Sequence, residues 1–125
     1  MWKELALLAV TGALGTVSRF GMTRIVQHVC GDWFPWGTFA VNALGCFLFG
    51  VVWMLAEDRM LISGQTRFIV LTGFMGAFTT FSTFAFETNA LLRDAQWWQA
   101  AANLLGQNVV GIACVFLGLA VGRML

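Results

Sequence analysis

A chain of 125 residues with 59% hydrophobic content and 10% charged residues, against about 25% charged in ordinary soluble domains, falls in the membrane class and leaves no length for a separate soluble catalytic module. A net charge of +1 with no run of basic residues excludes a nucleic-acid-binding surface. Cys30, Cys46 and Cys114 lack metal-ligand spacing, and His28 has no partner in a ligand-like pattern. The two cysteines in apolar stretches therefore read as small hydrophobes, and His28 as an interfacial residue.

A helix needs about 20 mostly apolar residues to cross a bilayer, and four such stretches are predicted: Leu5 to Val26, Trp36 to Ala56, Phe68 to Leu92, and Trp97 to Val121. The first begins close to Met1 with no small-residue cleavage site, so it is expected to be a retained helix rather than a signal peptide. Arg19 lies inside it, where an arginine snorkels to the interface, braces a helix break or attracts anions at a vestibule. The first connection, Gln27 to Pro35, holds Gly31, Asp32 and the only proline.

In the second span Thr38 and Asn42 stand one turn apart on one face. A mid-membrane amide either ties helices together or donates into a pore. Glu57 to Arg67 forms a charged connection with Ser63-Gly64 in it. The third span carries the run Gly73 to Phe86, in which Thr79, Thr80, Ser82 and Thr83 alternate with Phe78, Phe81, Phe84 and Phe86. Hydroxyls and glycines packed this densely discourage a regular helix, and broken backbone at membrane depth lines a cavity or a pathway.

After the tight polar turn Arg93 to Gln96, the fourth span repeats the amide pattern with Asn103 and Gln107 at i and i+4. Glycines recur on single faces of all four spans, which lets backbones approach closely. Trp2, Trp33, Trp36, Trp97 and Trp98 fall near the predicted ends, as an aromatic belt would. Lys3, Arg59, Arg67 and Arg123 lie on the side of both termini, with Arg24 and Arg93 opposite. That bias is weak, which permits insertion in both directions and hence an antiparallel dimer.

Glu87 is well past the centre of its span and every other acid falls at an end, so no carboxylate sits where a proton or metal-cation transporter commonly keeps one. Amides and hydroxyls favour a neutral, hydrogen-bond-donating route. An anion wants such donors, the positive ends of broken helices, and the electropositive edges of rings such as Phe81 and Phe84.

Three motifs then resemble the small bacterial fluoride channels known as Fluc: Gly12-Ala13-Leu14-Gly15-Thr16-Val17-Ser18-Arg19-Phe20, Gly37-Thr38-Phe39-Ala40-Val41-Asn42-Ala43-Leu44-Gly45, and Gly73-Phe74-Met75-Gly76-Ala77-Phe78-Thr79-Thr80-Phe81-Ser82-Thr83-Phe84. The resemblance covers essentially the whole chain, and the third motif is highly specific. It implies an all-α membrane protein of four transmembrane helices, the third broken over Thr79 to Thr83, assembled as an antiparallel, dual-topology homodimer with two fluoride pores in a bacterial inner membrane. It further implies that Phe81 and Phe84 line the pores with Asn42 as a donor and Ser82 and Thr83 as further polar contacts. Thr38, Asn103 and Gln107 join them as candidate lining residues, and Arg19 is vestibular or structural. Backbone carbonyls of Gly76 and Thr79 from both subunits are expected to cage a structural sodium ion. This chain departs from some relatives in the fourth span, where Asn103, Gln107 and Gly111 stand in place of a tyrosine and serines.

Two rival readings make different demands. A small antiparallel multidrug transporter holds a membrane-embedded carboxylate in its first helix, and the first span has none after Glu4. A non-transporting membrane scaffold accounts for the glycines and tryptophans but not for the clustered hydroxyls and phenylalanines.

Overall fold

The computed structural model describes residues 1–125 as an all-helical chain. Helix α1 is Trp2–Cys30 and α2 is Trp36–Glu57. The third span opens with α3 (Gly64–Phe68), widens into a π-helical segment (Ile69–Met75), closes with one turn, α4 (Gly76–Phe78), and resumes after a break as α5 (Phe81–Arg93). Helix α6 is Trp97–Met124. Four helical lengths, Trp2–Cys30, Trp36–Glu57, Gly64–Arg93 and Trp97–Met124, are long and apolar enough to cross a membrane. They coincide with the predicted spans, extended by a few residues at most ends. The chain crosses the bilayer four times.

An up-and-down path puts Trp2 and Trp53 at one end of the bundle and Trp33, Trp36, Trp97 and Trp98 at the other. Trp2, Trp33, Trp97 and Trp98 are all well exposed, as interfacial anchors must be. At the latter end the α1–α2 connection is stapled by one side chain. Gln27 donates from Nε2 to the carbonyls of Gly31 (2.6 Å) and Phe34 (2.8 Å), and its Oε1 accepts from the Gly37 N–H (3.0 Å). Gly31 takes φ 84°, a backbone that side chains rarely adopt. At the opposite end Arg67 pairs with Glu57 and lies over the Trp53 ring at 4.8 Å, which ties the α2–α3 connection down.

Close packing depends on absent side chains. A Cβ on Gly50 would strike the Val115 carbonyl of α6, and one on Gly118 would strike the Phe47 carbonyl of α2. A Cβ on Gly122 would stand 2.7 Å from that of Met54. The contacts advance together along both helices, so α2 and α6 run parallel at backbone-contact distance. Likewise Gly15 of α1 meets the Phe74 carbonyl, and Gly73 meets Thr11. In lipid, where burying apolar surface gains nothing between helices, such approaches supply the van der Waals contact that holds spans together.

Candidate functional site

The third span breaks where its sequence is richest in hydroxyls. Thr79 (φ −84°, ψ 157°) and Thr80 (φ −149°, ψ 114°) are extended, which ends α4 and starts α5. Thr79 closes α4 twice, through its N–H (3.0 Å) and its Oγ1 (2.9 Å), both onto the Met75 carbonyl. Thr80 caps α5: its Oγ1 accepts from the Thr83 N–H (3.3 Å) and shares hydrogen bonds with the Thr83 and Ser82 hydroxyls at 2.9 and 3.3 Å. Such a cap is worth about 1 kcal/mol, and it makes the break a defined corner.

In an uninterrupted helix the Thr80 N–H would bond the Gly76 carbonyl. Here it donates 2.8 Å to Asn42 Oδ1 of α2. Asn42 returns an N–H to the Thr80 carbonyl at 3.0 Å and gives its second N–H to Gln107 Oε1 at 2.7 Å. Asn42 is thus an amide clamp on the extended residue, with both donors engaged. The expected pore donor first satisfies the backbone that the break exposes, which in hydrocarbon costs several kcal/mol per unpaired group.

The other amides continue the chain of bonds. Gln107 Nε2 donates to Asn103 Oδ1 (2.9 Å), Asn103 Nδ2 donates to Thr88 Oγ1 (2.9 Å), and Thr88 donates to the Phe84 carbonyl (2.8 Å). From the Thr80 N–H to the Phe84 carbonyl every donor points the same way. Aligned bonds of this kind polarise one another. Asn103 and Gln107 therefore lock α5 against α6, with Asn103 entirely enclosed.

Phe81 and Phe84 stand at the start of α5 with ring centroids 5.5 Å apart and planes at 60°, an arrangement that presents a ring edge. Phe84 is 6% exposed and Phe81 78% exposed. One ring is core, and the other stands on the surface of the single chain. Phe81, Phe84, Asn42, Gln107, Thr79 and Gly76 line one cleft of about 450 Å³. The start of α5 borders it at Thr80 and Phe81, at the positive end of the helix dipole, where the Thr83 N–H is taken by the Thr80 cap and the Phe81 and Ser82 N–H groups have no helical partner. Ser82 and Thr83 lie at that same start and are exposed, outside the lining of the cleft.

Thr38 and Arg19 lie outside this cleft. Thr38 is buried and donates 2.8 Å to Glu87 Oε1. Arg19 sits half-buried on α1, away from the cleft. Gly76 is exposed, and its carbonyl is released because the Thr80 N–H has turned to Asn42.

Sequence reasoning missed four participants. Thr80 was one hydroxyl among several, yet it is the pivot of the break. Thr88 follows Phe84 by one helical turn and so shares its face, a signal present in the spacing. Asn108, beside Gln107, lines the cleft with one N–H bonded to the Leu104 carbonyl at 2.6 Å. Glu87 lies past the centre of its span, yet its Oε2 is buried with no partner. It faces a second cleft of about 430 Å³ shared with Asp32, Asp94 and Gln27.

Comparison with known proteins is consistent along the whole chain. The family model described as CrcB-like protein, Camphor Resistance (CrcB), matches residues 6–119. A protein of Nitrosococcus oceani named Fluoride-specific ion channel FluC is 59% identical over 125 residues, covering 100% of both chains. Proteins of the same name from Solidesulfovibrio magneticus and Nitratidesulfovibrio vulgaris (strain Miyazaki F) are 50% identical over 125 residues and 46% over 122, covering 100% and 98% of each chain.

Proposed function

The chain belongs to the CrcB-like family, and from that premise we propose that it is a passive, fluoride-selective channel, not an enzyme, that lets cytoplasmic fluoride leave across a bacterial inner membrane. The observation that carries this is the broken third span, which turns the N-terminus of α5 and the Phe81–Phe84 pair onto one cleft. A small anion is strongly hydrated, so its shell must be exchanged for groups of similar strength that hold it weakly enough to release it. Ring edges, Ser82 and Thr83 hydroxyls and first-turn N–H groups supply that exchange without a fixed positive charge. Asn42 and Gln107 take part by holding the break open and by lining the cleft.

The working unit in this reading is an antiparallel homodimer with two pores. In its favour, Phe81 and Gly76 are exposed on a single chain although they lie at membrane depth beside polar groups. A second copy would cover them and close the cleft into a pathway.

The same reading gives the released carbonyls a role. Carbonyl oxygens are hard donors suited to a hard monovalent cation, and the freed Gly76 carbonyl and the extended Thr79 offer two from each chain. They would hold a structural sodium ion between the subunits, where it neutralises the C-terminal ends of two α4 helices.

Purified protein in liposomes loaded with potassium fluoride, with valinomycin added, should release fluoride rapidly to an electrode while parallel chloride vesicles retain their load. Dimeric protein that releases no fluoride would overturn the channel. Phe81→Ile should cut the flux with the dimer intact; undiminished flux would remove the ring edge from the mechanism.

A further inference from the structure

Beyond that reading, the contact between α2 and α6 places a cysteine of each helix beside Gly111. Cys46 follows Asn42 by one turn on α2, and Cys114 lies seven residues beyond Gln107 on α6, on the same face. The Cys46 Sγ is 3.5 Å from where a Cβ on Gly111 would stand, and Cys114 is one turn past Gly111. Both are free and half-buried, and Cys46 lines the cleft, which gives a route in from outside.

We propose that Cys46 and Cys114 form a two-thiolate site for a soft, two-coordinate metal cation, and that its occupancy clamps α2 to α6 and blocks the pathway. Thiolates select soft cations, and binding requires their deprotonation. Each S–H loses its proton, two metal–sulfur bonds form, two protons leave through the cleft, and no electrons change hands. With a divalent ion such as Hg²⁺ the adduct is neutral, which suits a site at membrane depth where net charge is costly. A cation wanting four ligands finds only these two, since no group of three or more ligating side chains exists in the chain. The clamp lies one turn from Asn42 on α2 and two turns from Gln107 on α6, the residues joined by the 2.7 Å bond, so it fixes the helices that carry the cleft wall.

The test uses full-length protein with the exposed third thiol removed by Cys30→Ser, and Hg²⁺ as the probe. Native mass spectrometry should find one mercury per chain with two protons displaced, and both remaining thiols should become unreactive to a maleimide together. Cys114→Ser should weaken mercury binding by about a hundredfold, the range that a second, intramolecular attachment adds. In liposomes Hg²⁺ should stop ion efflux from the Cys30→Ser protein and dithiothreitol should restore it. Two mercuries per chain, thiols blocked independently, or equal affinity after Cys114→Ser would overturn the site. Chelation with efflux unchanged would overturn the clamp. The stoichiometry and thiol protection are read without reference to fluoride, so they stand or fall apart from the channel reading, and they decide the matter even where the serine variant fails to fold.

Discussion

Replacing Asn42 by alanine tests whether the amide is chiefly a clamp on the break or chiefly a donor to a passing ion. The change removes three hydrogen bonds: the exchange with Thr80 N–H and C=O at 2.8 and 3.0 Å, and the 2.7 Å bond to Gln107. Inter-helix bonds in membranes average about 0.6 kcal/mol and reach about 1.7 kcal/mol. Three bonds at one site then place the loss between about 2 and 5 kcal/mol, concentrated at Thr80, which is buried and has no alternative partner in α4. By the rule that 1.4 kcal/mol is a factor of ten, hydrogen exchange at the Thr80 amide should quicken by between about thirtyfold and a few thousandfold. Exchange followed by mass spectrometry in nanodiscs, with peptides covering residues 76–86, reads this directly. Asn42→Asp gives an internal control: it keeps the acceptor for the Thr80 N–H but sets a carboxylate oxygen against the Thr80 carbonyl and Gln107 Oε1, so it should protect the amide only in part. If Asn42→Ala loses fluoride flux while Thr80 exchange is unchanged, the clamp is wrong and Asn42 is a lining donor.

Four further outcomes follow from the same geometry. Gly118→Ala and Gly50→Ala drive a Cβ into backbone of the facing helix and should each cost about 1–3 kcal/mol; Gly21→Ala, whose Cβ meets nothing within 4 Å, should leave the thermal midpoint unchanged or raise it. Phe84→Ala, in the core, should lower the thermal midpoint through the packing contacts it loses; the equivalent change at exposed Phe81 should lower flux with little change in the unfolding of a detergent-isolated monomer. Gln27→Leu strips three partners from the α1–α2 connection and should make residues 31–36 the first site of limited proteolysis. Glu87→Gln keeps an acceptor for Thr38 and puts a neutral amide where a buried carboxylate oxygen has no partner, so the melting temperature should rise, since an unpaired charge costs more to bury than an unpaired amide; a fall would mean that the carboxylate has a partner in the membrane.

Much of this protein was legible in its sequence because the bilayer leaves few choices. Composition announced the membrane class, four apolar runs announced the spans, and the tryptophans marked their ends, since hydrocarbon admits only segments that satisfy their own backbone. The place of the break was legible too, in the hydroxyls from Thr79 to Thr83, because a regular helix there would crowd β-branched side chains. What each polar side chain does was decided by tertiary structure. Asn42, Asn103 and Gln107 looked alike as mid-membrane amides, and only the parallel contact of α2 with α6 and the return of α5 turned them into one oriented chain of bonds ending at Phe84. Thr38 shares a helix face with Asn42 yet is drawn to Glu87 instead. Phe81 and Phe84, three residues apart, were separated into a surface ring and a core ring by the direction in which α5 leaves the break. A sequence states which groups need partners, but partners separated by 38 or 65 residues, as for Asn42 with Thr80 and Gln107, are chosen by how the helices pack.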